Sequence, residues 1–203
     1  MTENERVLPY GREEDWQIAF VDVETTGLLA GYHEMIDIGI VMTNLEGLEI
    51  DSFFRRIMPE NPDRAEQEAI RCNGFSVERW TEFGAAFPKQ AVAEIIQFYK
   101  DAAGNGRRIN KKVIFCAYNE SFDYPFLDHL FRSVGESIRQ LHHYTLDLPS
   151  IAWGRGIHLL HCSKVVNQLN VEEEPMASRG DDPCEHTGLT GAQKNARIYR
   201  ALF

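Results

Sequence analysis

Two acids, Asp22 and Glu24, lie near the end of an apolar run that begins at Trp16 and stops at Gly27. Successive side chains of a β-strand point to opposite faces, so these two carboxylates project from the same face. Neighbouring carboxylates repel each other unless a cation lies between them, and hard divalent ions such as Mg²⁺ prefer oxygen ligands. The pair therefore predicts a divalent-cation site.

A third acid, Asp123, follows an apolar strand predicted over residues 113–118 and lies in the first turn of a helix predicted over residues 121–134. Ligand sites in α/β sheets gather at the carboxyl ends of strands, which favours a functional role for Asp123. An acid at a helix N-terminus is also stabilising by about 0.3–1 kcal/mol for purely electrostatic reasons. Considered alone, Asp123 is better explained by this electrostatic role.

His186 lies just before Thr187, which the pattern predicts as the N-cap of a C-terminal helix ending near Phe203. A histidine titrates near neutral pH and is the usual general base in enzymes. Beside a helix cap, however, a single histidine is also an ordinary surface residue. The prediction changes only when the three segments are taken together.

In this order and spacing, the segments resemble the motifs of the DEDDh branch of the DnaQ-like exonucleases, which have a ribonuclease H-like fold. The first motif is matched by Asp22 and Glu24 and continues through Thr25, Thr26, Gly27 and Leu28. The second is matched by Asn119, Phe122, Asp123, Phe126 and Leu127. The third is matched by His186, Ala192 and residues 196–202, so the resemblance covers most of the chain from Trp16 to Phe203.

The resemblance implies a metal-dependent 3′–5′ exonuclease that removes nucleoside monophosphates from single-stranded 3′ ends of DNA or RNA. Two Mg²⁺ or Mn²⁺ ions are implied. Asp22 and Glu24 would hold the ion that carries the attacking water, and Asp22 and Asp123 would serve the ion that stabilises the leaving oxygen. His186 would be the general base. The terminal nucleotide is expected to contact Thr25, Thr26, Gly27, Leu28, Asn119 and Phe122.

One position departs from the family pattern, because Gly191 occupies the place of the third-motif aspartate, five residues after His186. Loss of that ligand implies a weakened or inactive enzyme, and the alternative is a non-catalytic module or scaffold that binds nucleic-acid 3′ ends. The segment from His142 to Asp147 has the same spacing, but its second half belongs to the strand expected at 144–148, and it lacks the long C-terminal helix. Asp181 and Asp182 are possible substitute ligands on a loop, which would hold the geometry poorly.

The size and composition of the chain fit one exonuclease-like domain over residues 16–203, preceded by a flexible arm over residues 1–15. A net charge of −10 argues against a protein that coats nucleic acid, although an enzyme that grips only a few nucleotides remains compatible. The polar N-terminus is no signal peptide and no run is long enough to span a membrane, so we expect a cytoplasmic protein without membrane contact. Four scattered cysteines indicate free, mostly buried thiols. Protein partners cannot be inferred.

The pattern of apolar residues predicts an α/β domain with a mixed central sheet. Strands are expected at 16–24, 34–43 and 48–58, joined by a hairpin turn at 44–47, so the chain should begin with a three-strand antiparallel meander. Later strands are expected at 113–118 and 144–148. Helical segments are expected at 63–72, 88–103, 121–134, 151–153, 162–169 and 187–203, with loops at 104–108 and 172–183.

Three further sets of residues have weaker interpretations. A zinc site could be assembled on paper, although its spacing fits no standard zinc pattern, from His158, His161, Cys162, Cys184 and His186. A small basic cluster, which is either a phosphate contact or a solvated loop, consists of Arg107, Arg108, Lys111 and Lys112. Three aromatic residues of the second motif could stack on a terminal base, although part of such a set normally faces the core: Phe122, Tyr124 and Phe126.

Overall fold

The computed structural model describes residues 7–8, 11–12, 15–103, 112–171 and 186–203. Within these ranges the strands are β1 (Val7–Leu8), β2 (Gly11–Arg12), β3 (Trp16–Thr25), β4 (Met35–Thr43), β5 (Glu49–Arg56), β6 (Lys112–Ala117) and β7 (Leu141–Asp147). The helices are α1 (Gln67–Asn73), α2 (Val77–Glu82), α3 (Pro88–Ala102), α4 (Glu120–Ser133), α5 (Leu148–Gly154), α6 (Cys162–Gln168) and α7 (Gly188–Leu202).

The central sheet has five strands in the order β5-β4-β3-β6-β7. The strands β3, β4 and β5 form an antiparallel meander, whereas β6 pairs in parallel with β3, and β7 in parallel with β6. The predicted mixed sheet and its opening meander are therefore confirmed. Because β3, β6 and β7 run in the same direction, their carboxyl ends lie at one edge of the sheet, next to the start of α4.

The two faces of the sheet carry separate cores. One core contains Ala19, Val21 and Val23 of β3 together with buried side chains of α3 and α4. The other contains Ile18 and Phe20 with buried side chains of α5, α6 and α7. Side chains alternate along a strand, so Asp22 and Glu24 point to the same face of β3 as Ile18 and Phe20. This is the face of the sheet that packs against α7.

The long helices follow the sequence pattern closely. Helix α3 begins with Pro88, where the missing N–H costs nothing, and it buries the predicted face of Ala91, Ile95, Phe98 and Tyr99. Helix α7 begins with a capping box in which Thr187 and Thr190 exchange hydrogen bonds with each other's backbone. This cap sets the first turn of α7 directly after His186.

Several elements differ from the sequence-based expectation. The helix predicted at 63–72 is a 3-10 turn at Pro62–Arg64 followed by α1, and the six-residue helix α2 was not predicted. Within the predicted arm, β1 and β2 pair with each other. The expected loops at 104–108 and 172–183 lie outside the described residues. In the part of the chain that is described, no helix is long and apolar enough to cross a membrane.

Candidate active site

Asp22, Glu24 and Asp123 meet at the carboxyl edge of the sheet. The first two lie on β3, and Asp123 lies in the first turn of α4. The backbone N–H of Val23 donates a hydrogen bond to Oδ1 of Asp123 over 3.1 Å, and Asp123 is 3% exposed. A strand residue between the two first-motif acids thus fixes the third acid beside them.

His186 completes this group from the opposite side. Its Nδ1 lies 3.2 Å from Oε1 of Glu24, and its side chain is 41% exposed. This approach is an electrostatic contact and not a hydrogen bond. Within the described part of the chain, Nδ1 of His186 has no hydrogen-bond partner. The structure therefore brings together all four predicted catalytic residues, which come from β3, α4 and the start of α7.

Burial and mutual repulsion disturb the protonation of the acids. Burial, followed by the negative charge of Glu24, raises the pKa of Asp22 from 3.8 to about 7. Burial, followed by the charge of Asp22, raises the pKa of Asp123 well above its ordinary value. The positive charge of Lys194 on α7 opposes the rise at Asp22. Clustered acids with raised pKa values are typical of sites where a cation balances the charge.

Asp37 is a fourth acid at the site, and the sequence analysis missed it. It lies on β4 directly opposite Glu24 and is 1% exposed. Its Oδ1 accepts a hydrogen bond from the backbone N–H of Gly188 over 2.9 Å. Burial, and then the charge of Glu24, raise its pKa well above the ordinary value. The sequence does contain a signal for this residue, because Asp37 is the one acid within the otherwise apolar strand β4.

Helix α7 lies unusually close to the sheet at three glycines. A Cβ atom on Gly39 of β4 would overlap the backbone of Leu189, and a Cβ atom on Gly188 would lie 2.6 Å from the backbone nitrogen of Gly39. A Cβ atom on Gly191 would overlap the carboxylate of Asp22 and lie 3.0 Å from Cβ of that residue. The carboxylate of Asp22 therefore occupies the space in which a side chain at position 191 would begin.

The predicted nucleotide-contact residues lie on two loops beside the acids. The hydroxyl of Thr25 donates to the carbonyl oxygen of Gly27 over 2.7 Å, and the hydroxyl of Thr26 accepts from the N–H of Glu34 over 2.9 Å. Both threonine side chains are buried, whereas Leu28 is 78% exposed. These threonines therefore shape the loop, and Leu28 is the side chain that it presents to solvent.

On the other loop, Asn119 has a left-handed backbone with a φ of 74° at the start of α4, and its Oδ1 accepts a hydrogen bond from Ser121. Phe122 is half-buried, and its ring centroid lies 5.1 Å from that of Phe126. Phe126 itself is 1% exposed, so it belongs to the core and cannot stack on a base. Tyr124 is half-buried and packs edge-on against Phe115.

The alternative histidine motif is not part of the site. The segment from His142 to Asp147 lies in strand β7, which begins three residues earlier than the strand expected at 144–148. Asp147 accepts hydrogen bonds from the backbone N–H groups of Glu120 and Ser150, and it is the N-cap of α5. This aspartate therefore holds the first turns of α4 and α5 together and provides no second catalytic centre.

The remaining alternatives receive no support from the described residues. Among them, no group of three or more His, Cys, Asp or Glu side chains is already arranged to hold a metal ion. The described members of the possible zinc site are therefore not arranged around a common point either. No disulfide forms among Cys72, Cys116 and Cys162, of which only Cys116 is fully buried. Lys112 lies over the ring of Trp16 at 4.8 Å. The other predicted residues lie outside the described ranges: Arg107, Arg108, Lys111, Asp181, Asp182 and Cys184.

The chemistry of the donor set nevertheless fits a divalent cation. Asp22, Glu24 and Asp123 provide carboxylate oxygens, the preferred ligands of Mg²⁺ and Mn²⁺. Burial, and after it repulsion between the neighbouring acids, raises the pKa values of Asp22 and Asp123, and a bound cation would relieve that repulsion.

The sheet order and the cluster of acids at its carboxyl edge define a protein with the ribonuclease H-like exonuclease fold. The nuclease domain of 3′hExo, a DEDDh family member with bound rAMP, has a TM-score of 0.67 and 18% identity, over 90% of this chain and 88% of that chain. A 3′-exonuclease that recognises the 3′ end of the histone mRNA stem-loop has a TM-score of 0.65 and 17% identity, over 92% of this chain and 63% of that one.

Exonuclease I of E. coli, in complex with a dT13 oligonucleotide, has a TM-score of 0.68 and 12% identity. The match covers 89% of this chain but only 39% of exonuclease I, so the chain spans about two fifths of that enzyme. At such identities these similarities concern the fold. No curated protein matched the chain by sequence.

The sequence profile of the RNase T exonuclease family matches residues 19–174, which is more than half of the chain. The chain therefore belongs to this exonuclease family. The matched range includes Asp22, Glu24 and Asp123 but ends before His186. The assignment of the third motif thus depends on the sequence resemblance and on the position of His186 beside Glu24.

Proposed function

We propose that this protein is a divalent-cation-dependent 3′–5′ exonuclease that removes nucleoside monophosphates from single-stranded 3′ ends, with activity weakened by Gly191. The observation that carries the proposal is the convergence of Asp22, Glu24, Asp123 and His186 at one edge of the sheet. Membership of the exonuclease family supports the same reaction class. The cytoplasm is the proposed location.

Asp22, Glu24 and Asp123 would hold Mg²⁺ or Mn²⁺, and a bound cation supplies an activated water and neutralises charge on the leaving oxygen. An intact site of this type is expected to hold two ions. Because Gly191 has no side chain, one ligand of the ion that carries the water is missing. The expected result is weak cation binding and slow hydrolysis.

His186 would act as the general base. Its Nδ1 faces Glu24 at 3.2 Å, so Nε2 is the ring nitrogen left to accept a proton from the attacking water. The side chain is 41% exposed, which allows the proton to pass to solvent afterwards. Glu24 would therefore both bind the cation and orient the base.

The 3′-terminal nucleotide would lie between the two loops that flank the acids. Leu28 offers an exposed apolar contact for a base, and Phe122 offers the exposed part of a half-buried ring. The sugar and phosphate of this nucleotide would contact the side chain of Asn119 and the backbone of Thr25, Thr26 and Gly27. The relatives named above include proteins with ribonucleotide and deoxyribonucleotide ligands, so both chemistries are candidate substrates.

A second function, non-catalytic binding of 3′ ends, is favoured by one observation. The position of the expected ligand is Gly191, and the space beside it is filled by Asp22. A protein of this kind would keep the loops that contact the nucleotide while hydrolysis is lost. The two functions differ in turnover and share the same ligand.

The experiment compares the wild type with G191D, using G191A as the steric control and H186A as the catalytic control. Labelled single-stranded DNA and RNA oligonucleotides are incubated with Mn²⁺, and nucleotide release and binding are both measured. An increase in release of about 10²-fold in G191D but not in G191A would support a weakened nuclease, because one transition-state electrostatic contact contributes about that much. Binding without any gain would support the non-catalytic function. Absence of 3′-end binding in every variant would overturn both.

A further inference from the structure

The side chain of His33 is buried within the loop that joins β3 to β4. Histidine is fully buried less often than apolar residues are, yet this one is only 4% exposed. Its Nδ1 accepts a hydrogen bond from the backbone N–H of Leu29 over 3.0 Å. Its own backbone N–H donates to the carbonyl oxygen of Leu29 over 2.8 Å. Two hydrogen bonds therefore fix the backbone of Leu29 to one histidine.

The ring of His33 also fills the space beside Gly27. A Cβ atom on Gly27 would lie 2.6 Å from both Cδ2 and Nε2 of His33. The backbone of Gly27 is not in the left-handed region, so its conformation does not require glycine. Glycine is required here because the imidazole ring occupies the volume in which a side chain would begin.

The other ring nitrogen of His33 faces Glu66. Because Nδ1 accepts from Leu29, the neutral ring carries its hydrogen on Nε2, which lies 3.4 Å from Oε1 of Glu66. The backbone N–H of Glu66 donates to the carbonyl oxygen of Thr26 over 2.8 Å. Glu66 therefore contacts the loop through its backbone and the histidine ring through its carboxylate.

These contacts lie on both sides of Leu28. The ring of His33 packs against Gly27, the residue before Leu28, and Nδ1 binds Leu29, the residue after it. Leu28 itself is 78% exposed, so little packing of its own fixes its direction. The orientation of this exposed side chain therefore depends on the backbone that His33 holds.

We propose that His33 is a positioning residue that holds Leu28 in the orientation in which it contacts the 3′-terminal base. The inference rests on the nucleotide contact of the proposed function. A loop that is already ordered in the free protein loses less conformational freedom when the nucleotide binds, so its affinity is higher. Because His33 makes these contacts to the loop, its loss should affect the affinity for the oligonucleotide and not the affinity for the cation.

Three substitutions separate the hydrogen bond from the packing. H33F keeps an aromatic ring but removes the acceptor for Leu29, whereas H33N keeps an oxygen acceptor at about the position of Nδ1. G27A directs a methyl group at the ring and should push it away from Leu29. I95V is the control for a loss of stability alone, because it shortens a fully buried side chain of α3.

The test measures the affinity for labelled single-stranded oligonucleotides by fluorescence anisotropy with Mn²⁺. Every variant is made in the full chain with H186A, so that the oligonucleotide stays intact. We expect H33F and G27A each to weaken binding about five-fold, the equilibrium equivalent of one hydrogen bond of about 1 kcal/mol. H33N should keep most of the affinity, and I95V should bind like the H186A parent. Mn²⁺ affinity, measured by electron paramagnetic resonance of free Mn²⁺, should stay unchanged throughout.

A double substitution shows whether His33 acts through Leu28. In the L28A background, H33F should weaken binding by less than about two-fold, because the contact that His33 positions is already absent. The urea midpoint should still fall by as much as it does for H33F alone, since the exposed Leu28 contributes little to stability. A merely structural role of His33 would give the same loss of binding with and without Leu28.

Equal binding by H33F and the H186A parent, or a five-fold loss that persists in L28A, would overturn the role of His33 and leave the proposed exonuclease intact. If H33F does not fold, G27A and its combination with L28A decide, since G27A retains the histidine. A parent chain that binds no 3′ end would overturn the proposed function, and this inference with it.

Discussion

The carboxylate of Asp37 accepts a hydrogen bond from the backbone N–H of Gly188 over 2.9 Å, and this contact ties the first residue of α7 to strand β4. Asp37 also lies directly opposite Glu24, the residue that His186 approaches. Asp37 is therefore the neighbour of Glu24, a predicted cation ligand. It also fixes the start of α7, the helix that follows the predicted base His186. The position of His186, two residues before Gly188, depends on this contact.

The contact predicts different effects for two substitutions of Asp37. D37A leaves the buried N–H of Gly188 without an acceptor, which should lower the free energy of unfolding by about 1–3 kcal/mol. D37N retains an oxygen acceptor and removes a charge that repels Glu24, so it should keep most of the stability. Urea denaturation measures both, and hydrogen exchange should accelerate at residues 188–191 only in D37A. Equal losses in the two variants would show that charge, and not the hydrogen bond, matters.

Much of this architecture could be predicted from local sequence signals. The apolar runs of β3 and β4, the hairpin turn at 44–47 and the helical period of α3 gave element bounds within a few residues of those observed. Helix α2 was missed because it has only six residues, although Ser76 before it is a typical N-cap and accepts from the N–H of Arg79.

The site could be predicted only in part, because two of its features depend on tertiary packing. Residue type and spacing along the chain were enough to identify four site residues: Asp22, Glu24, Asp123 and His186. The role of Asp37 depends on its cross-strand register with Glu24, which a single strand pattern does not contain. Likewise, the sequence shows that Gly191 lacks a carboxylate, but only the packing of α7 shows that Asp22 fills the space.

The close packing of α7 on β4 predicts a strong effect of G39A. A Cβ atom at this position would overlap backbone atoms of Leu189, which cannot move without displacing the helix. Overpacking of this kind should lower the free energy of unfolding by about 1–3 kcal/mol, measured by urea denaturation. G154A is the matched control, because no atom of the described residues beyond its chain neighbours lies within 4 Å of a Cβ atom on Gly154. An equal effect of the two substitutions would contradict the observed packing.

The acids predict that stability falls as pH rises. The pKa of Asp22 is 3.8 ordinarily and about 7 in the folded chain, so the folded state keeps a proton that the unfolded chain has already lost. The contribution of Asp22 to the free energy of unfolding should therefore decrease from about pH 4 to about pH 7 and then level off. Asp37 and Asp123, whose pKa values are also raised, act in the same direction.

Two comparisons check this pH dependence by urea denaturation at pH 5 and pH 8. D22N should reduce the loss of stability between the two pH values without removing it, since the other acids remain. Mn²⁺ added at pH 8 should stabilise the wild type and have little effect on D22N. A wild type that is more stable at pH 8 than at pH 5 would contradict the raised pKa values.

Leu28 predicts an effect on substrate binding that is separate from stability. Its side chain is 78% exposed, so L28A removes little buried surface and should leave the urea midpoint unchanged. Loss of an apolar contact with a terminal base should weaken oligonucleotide binding by about 1 kcal/mol, the contribution of one or two buried methylene groups, measured by fluorescence anisotropy. Leu159, 66% exposed, provides the matched control L159A. Similar binding losses in both variants would indicate a general surface effect.

Substitution of His186 should reduce turnover without weakening the binding of Mn²⁺ or of the oligonucleotide. The substitution H186Q, made in whichever of the wild type and G191D releases nucleotide faster, removes the base but no carboxylate. We expect kcat to fall by about 10²–10⁴-fold, the usual contribution of a positioned general base, while the affinities for Mn²⁺ and for the oligonucleotide change little. The control H143A removes an exposed histidine of β7, outside the site. Because Nδ1 of His186 faces Glu24, a drop in Mn²⁺ affinity as large as the drop in kcat would instead mean that His186 acts by orienting Glu24.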